Sequence, residues 1–135
     1  AAMTETPLSV SPHTTVEDAV QLMLKHQISG VPVVEGGKVV GIITTSDILR
    51  AFLEMTGAST QNSVRIDVLQ TEKGGDLVQA AAVVNDIGGE VLGVGTYREP
   101  WSEQSVFYIR LLGVEAATAS AALQSKGYTV LSTHS

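Results

Sequence analysis

The stretch Gly30–Leu49, GVPVVEGGKVVGIITTSDIL, constrains this chain more than any other. Two β-branched runs, Val31–Val34 and Val39–Ile43, flank Glu35-Gly36-Gly37-Lys38. Branched side chains pack well on a pleated surface, and paired glycines supply the positive φ of a tight turn, so a β-hairpin is expected. The second run stops at Thr44-Thr45-Ser46-Asp47, after which Ile48, Leu49, Phe52 and Leu53 recur at helical spacing. A strand that gives way to a helix start gathers hydroxyls, a carboxylate and unpaired backbone N–H donors. That combination suits a ribose or a phosphate.

Upstream, Thr4–Val10 is expected to be extended, with Pro7 fixing its local φ, and Ser11-Pro12-His13 to form a turn. Thr14-Thr15-Val16-Glu17 reads as a capping box, with the Thr14 hydroxyl satisfying an early amide and Glu17 reaching back. Val16, Ala19, Val20, Met23 and Leu24 predict a helix with one buried face, ending at His26 and Gln27. A second helix is expected from about Ser46 to Met55, closed by Gly57. The polar, small-residue run Ala58–Ser63 reads as a linker between a first domain, 1–57, and a second, 64–135.

In the second domain, alternation over Val64–Leu69 predicts a strand, and Lys73-Gly74-Gly75-Asp76 breaks it. Leu77, Ala80, Ala81, Val84 and Ile87 predict a helix ending at Gly88-Gly89. Strands follow at about Glu90–Arg98 and Ser105–Leu112, then an alanine-rich helix, Ala116–Ser125, with Gly127 as its cap. A last strand is expected over Tyr128–Ser132. The order βαββαβ implies a ferredoxin-like arrangement, two helices on one face of an antiparallel sheet, and the whole chain reads as α+β.

Composition removes several function classes. The 135 residues are 44% hydrophobic, enough to bury a core, and the net charge of -6 is shared about equally by the two halves. No basic patch is therefore expected for nucleic acid or an anionic membrane. With no cysteine there is no disulfide framework, thiolate zinc site or cysteine nucleophile, which fits a cytoplasmic protein. No apolar run approaches a membrane span of about 20 residues, and no signal peptide is read. His13, His26 and His134 are far apart in sequence, so no metal site is expected, and nothing singles out catalytic residues. Gly93-Val94-Gly95 is the one fragment near a dinucleotide fingerprint, but Tyr97-Arg98 continues a strand where a helix would have to start. Trp101, in the loop Glu99–Glu103, is a candidate partner contact.

Pro32-Val33-Val34, Gly41-Ile42-Ile43-Thr44 and Asp47-Ile48-Leu49 together resemble the core of a CBS motif, with further matches at Met3-Thr4, Pro7, Val10, Thr14, Thr15 and Ile28. The resemblance implies a β-α-β-β-α half-module, most similar to the second motif of a pair. It further implies an adenosyl ligand (AMP, ADP, ATP or S-adenosylmethionine) held by Thr6, Gly30, Val31, Thr44, Ser46 and Asp47. Thr44 would face phosphate and Asp47 the ribose hydroxyls; helix capping alone is the other reading of Asp47. The βαββαβ half, with glycine at its first strand–helix corner, is similar to an ACT domain, which implies amino-acid binding at Gly75, Asp76 and Leu77. A tight turn is the other reading of Gly75. A CBS motif followed by an ACT-like domain resembles bacterial CBS–ACT regulatory proteins of the acetoin-utilisation type, in which two CBS motifs normally come first. The missing motif would then lie upstream in a longer protein or come from a second chain. The expectation is a non-catalytic, small-molecule-sensing homo-oligomer with no other cofactor; alternatives are a structural dimerisation unit with vestigial sites and a regulatory fragment of a larger enzyme.

Overall fold

A computed structural model describes residues 8–71 and 76–135, and the chain divides into two compact units, Ala1–Phe52 and Leu53–Ser135. The first unit contains helix α1 (Val16–His26), strands β1 (Gly30–Glu35) and β2 (Lys38–Thr44), and helix α2 (Thr45–Met55), within which the division falls. β1 and β2 pair antiparallel, Val31 opposite Ile43, across a turn in which Gly36 and Gly37 take φ of 58° and 77°. Side chains other than glycine rarely adopt that region, which is why this turn carries two glycines. Val10 joins β1 in parallel: its N–H donates to the Pro32 carbonyl at 3.0 Å, and its own carbonyl accepts from the Val34 N–H at 2.7 Å. The expected strand residues before Leu8 lie outside the described residues.

The cap of α1 is shifted by one residue from the expected Thr14. Thr15 has the extended backbone of a cap, its hydroxyl accepts the Asp18 N–H at 3.1 Å, and its carbonyl accepts the Ala19 N–H at 3.0 Å. The Thr14 hydroxyl is spent inside the preceding turn, where it accepts the Ser11 N–H at 3.0 Å. Buried Val10, Ala19, Met23 and Val31 form the core, flanked by Leu22, Ile28, Val33, Ile43 and Ile48. Neither β2 nor α2 buries a residue fully, and Val39, Val40, Ile42, Leu49 and Phe52 stay exposed.

The second unit contains β3 (Val64–Leu69), α3 (Asp76–Asp86), β4 (Glu90–Arg98), β5 (Ser105–Leu112), α4 (Ala116–Ser125) and β6 (Val130–His134). Its strands lie in the order β4-β5-β3-β6, every neighbour antiparallel. Alternate residues Ile66 and Val68 of β3, and Phe107, Ile109 and Leu111 of β5, pack on Ala80 and Val84 of α3 and Ala119 and Leu123 of α4. Both helices therefore cover one face. β6 starts later than expected, because the Tyr128 N–H is drawn back to the Leu123 carbonyl at 3.1 Å and closes the end of α4. The Tyr128 ring meets Phe107 edge-on, centroids 6.4 Å apart. Ahead of β3, residues 58–63 form turns: the Thr60 N–H bonds the Gly57 carbonyl, and the buried Ser63 donates its hydroxyl to the Thr60 carbonyl. Among the described residues no helix is long and apolar enough to cross a membrane.

Candidate functional site

Thr44 is the residue at which the chain leaves β2 for α2. Its hydroxyl accepts the Asp47 N–H at 3.3 Å, while Asp47 Oδ2 accepts both the Thr44 N–H and the Thr44 hydroxyl at 2.9 Å. Two donors at the helix start are thus satisfied reciprocally, which is a capping box. Asp47 occupies its third helical position and is not the cap itself. The Thr44 N–H, and then its hydroxyl, hold the Asp47 carboxyl below its ordinary pKa, with the Arg50 charge adding and slight desolvation opposing. Arg50 approaches Asp47 Oδ1 at 3.8 Å, but both side chains are well exposed, so water weakens that pair.

The start of α2 is tied to the start of β1. The Thr45 N–H and hydroxyl both donate to the Ser29 carbonyl, at 3.0 and 3.3 Å, and Gly30 stands opposite Thr44 in the hairpin register. Gly30, Thr44, Ser46 and Asp47 therefore meet at one end of the hairpin. The arrangement offers a solvent-facing, ionised carboxylate, two exposed hydroxyls on Thr45 and Ser46, and the Arg50 guanidinium one turn along. Sequence reasoning passed over Arg50, whose signal was its spacing three residues after Asp47. The Val31 side chain is fully buried in the core and leaves only its backbone for a ligand. Thr6 lies outside the described residues.

In the second unit, Gly75 also lies outside the described residues. Asp76 opens α3 and accepts the Thr71 N–H at 2.9 Å, together with the Thr71 hydroxyl. Leu77 packs on the unit's core, so its side chain faces inward.

Sequence reasoning missed what joins the tyrosines of β4 and β5. On the face away from the helices, Asp67 is 3% exposed and accepts Arg65 Nε at 2.6 Å, Arg65 Nη2 at 2.8 Å and the Tyr97 hydroxyl at 2.5 Å. The guanidinium lies 4.4 Å from the Tyr108 ring centroid and 5.8 Å from that of Tyr97, within cation–π range. Burial disfavours the charged Asp67, but the hydrogen bonds from Arg65 and Tyr97 and the Arg65 charge outweigh it, leaving its pKa below the ordinary value. The same bond to Asp67 raises the pKa of Tyr97, with burial adding. The available signal was Arg65-x-Asp67, a spacing that puts opposite charges on one strand face. Among the described residues no group of three or more His, Asp or Glu side chains is placed to hold a metal ion.

Residues 1–54 match the CBS domain family. Over 41 residues the chain is 51% identical to an inosine-5'-monophosphate dehydrogenase of Korarchaeum cryptofilum, covering 30% of this chain and 9% of that protein. Over 62 residues it is 39% identical to the chloroplastic CBS domain-containing protein CBSX1 of Arabidopsis thaliana, covering 45% of this chain and 26% of that one. A solved structure of a protein with CBS domains from Burkholderia ambifaria aligns with 27% identity and a TM-score of 0.36, covering 42% of this chain and 38% of that one. The chain spans no more than about a third of the length of the curated relatives it matches. The hairpin, its capped helix and the two segments before them are a CBS domain, at residues 1–54.

Proposed function

We propose that this chain is a non-catalytic, cytoplasmic regulatory module that senses an adenosyl small molecule through its CBS domain. The observation that carries the reading is the Asp47 carboxylate: Thr44 holds it ionised and in place while it stays in solvent, and Oδ1 takes no part in the capping box. An ionised carboxylate is an acceptor-only group matched to a ribose diol. The Ser46 hydroxyl and Arg50 offer a phosphate its donors, at the positive end of α2. AMP, ADP, ATP and S-adenosylmethionine are the ligands to test. CBS-domain relatives support a regulatory role for this half. The second unit, by its βαββαβ order, is proposed to be ACT-like and to take an amino acid through the backbone near Gly75 and Asp76. The small core of the first unit and its exposed β2 and α2 side chains support assembly with a second copy or with an upstream CBS motif.

Calorimetric titration of the four adenosyl ligands into wild type and Asp47→Asn tests the reading. Asparagine keeps one acceptor for the Thr44 bonds and loses the charge. Affinity should fall about tenfold or more, at about 1.4 kcal/mol per decade, with little loss of fold stability. A capping role alone gives no binding, or unchanged binding, in both proteins.

A further inference from the structure

The Asp67 network leaves one edge of its guanidinium unused. Asp67 binds Arg65 side-on, through Nε and one N–H of Nη2, and so fixes the plane of the group. The Tyr108 ring packs against it, centroid 4.4 Å away. That ring can lie across β4 because its register partner there is Gly95, where a Cβ would stand 2.6 Å from the ring. The N–H groups of Nη1 and the outer N–H of Nη2 bond nothing among the described residues. Among those residues no buried side-chain nitrogen lacks a partner, so Nη1, which has none, reaches solvent.

A second arginine stands beside it. Arg110 is opposite Arg65 in the β3–β5 register and His134 is opposite it on β6, so three basic side chains share one row of the sheet face. Like charges placed directly opposite one another destabilise a sheet. Asp67 offsets one of them. Arg110 donates from Nη1 to the buried Ser63 hydroxyl at 3.1 Å and makes no ion pair among the described residues. Glu90, the other acid in the four strands, lies on the outer strand opposite Leu112. A pairing rule broken without a compensating contact points to a functional place.

We propose that Arg65 and Arg110 form an oxyanion site on this face. The outer edge of Arg65 donates two parallel hydrogen bonds to a carboxylate or a phosphate, and Arg110 supplies the charge that Asp67 cancels at Arg65. Asp67 and Tyr108 set the guanidinium plane beforehand, so little side-chain freedom is lost on binding. The site rests on neither the nucleotide nor the amino-acid reading.

The test is titration of the intact chain with sodium phosphate and, separately, sodium acetate, read from the NMR signals of the arginine side chains and the β3 amides. Sodium chloride at matched ionic strength is the blank. One or both anions should shift the Arg65 signals saturably, and the tighter one names the class of ligand, phosphorylated or carboxylic. Arg65→Lys keeps a charge beside Asp67 but loses the two-pronged edge, and should weaken binding about tenfold or more. Arg110→Gln, outside the Asp67 network, should weaken it about threefold or more. Wild-type-like β5 amide signals check that each variant is folded. Shifts that chloride reproduces, that never saturate, or that are confined to the start of α2 overturn the inference. So does saturable binding left unchanged by either variant.

Discussion

Replacing Asp67 with asparagine removes the charge at the centre of the network between β3, β4 and β5. Asp67 is almost fully buried and accepts three hydrogen bonds, two from one guanidinium. Stripping one partner from a buried ion pair costs about 3–5 kcal/mol, because the other charge is left without compensation. The Arg65 side chain keeps 31% of its exposure, so water recovers part of that, and we expect a loss of about 2–3 kcal/mol. Tyr97→Phe removes one bond to the same carboxylate at a more exposed ring and should cost about 1 kcal/mol. The two changes share a partner, so together they should cost less than their sum.

The pH dependence follows from the direction of each shift. Asp67 has a folded pKa below its unfolded value, so its contribution is present above about pH 4 and lost as pH falls through the folded value. Tyr97 has a folded pKa above its unfolded value, so its contribution is complete below about pH 10 and lost as pH rises through the folded value. Two units make a single unfolding midpoint ambiguous, so the assay is hydrogen exchange of the β3 and β5 amides, which reads the second unit alone. A loss under about 0.5 kcal/mol for Asp67→Asn, or an acid limb unchanged in that variant, would refute the reasoning.

Two simpler substitutions test local geometry. A Cβ on Gly93 would stand 2.4 Å from the Thr56 carbonyl oxygen, a backbone atom that cannot swing away, so Gly93→Ala should lower stability by about 2 kcal/mol or more; unchanged hydrogen-exchange protection of the β4 and β5 amides would contradict the close approach. Thr15→Ala should cost about 1 kcal/mol through loss of the α1 cap, and hydrogen exchange of the α1 amides should find Thr14→Ala the milder change.

The sequence was most informative where one local rule acted alone. Paired glycines between β-branched runs marked the β1–β2 turn, and helical spacing marked α1 to within a residue or two. It was less informative where neighbouring residues of one chemistry compete. Thr14 and Thr15 are equally good caps on paper, and only the turn at Ser11, which takes up the Thr14 hydroxyl, decides between them. Asp47 was placed correctly at the strand–helix junction, yet its bonds back to Thr44 depend on where α2 begins, one residue earlier than spacing suggested. The Asp67 network was the least legible part. Tyr97 and Tyr108 stand 30 or more residues beyond Arg65 and Asp67 in the chain, and only strand pairing sets them side by side.

β3 is the first strand of its sheet to be synthesised and among the last to be completed. Its partner on one side, β5, lies 37–47 residues downstream, and its partner on the other, β6, 62–69. At about 5–20 residues per second, Arg65 waits about 3–14 s for His134 to be made. Until Leu112 is made Ile66 and Val68 have no ladder on either side, and until Ser125 is made they have no helix α4 above them. The CBS half closes through short-range pairings and can form meanwhile. The nascent chain therefore passes through a stage in which a folded domain leads an unpaired apolar strand, and loss of β6 alone would leave β3 with one edge bare.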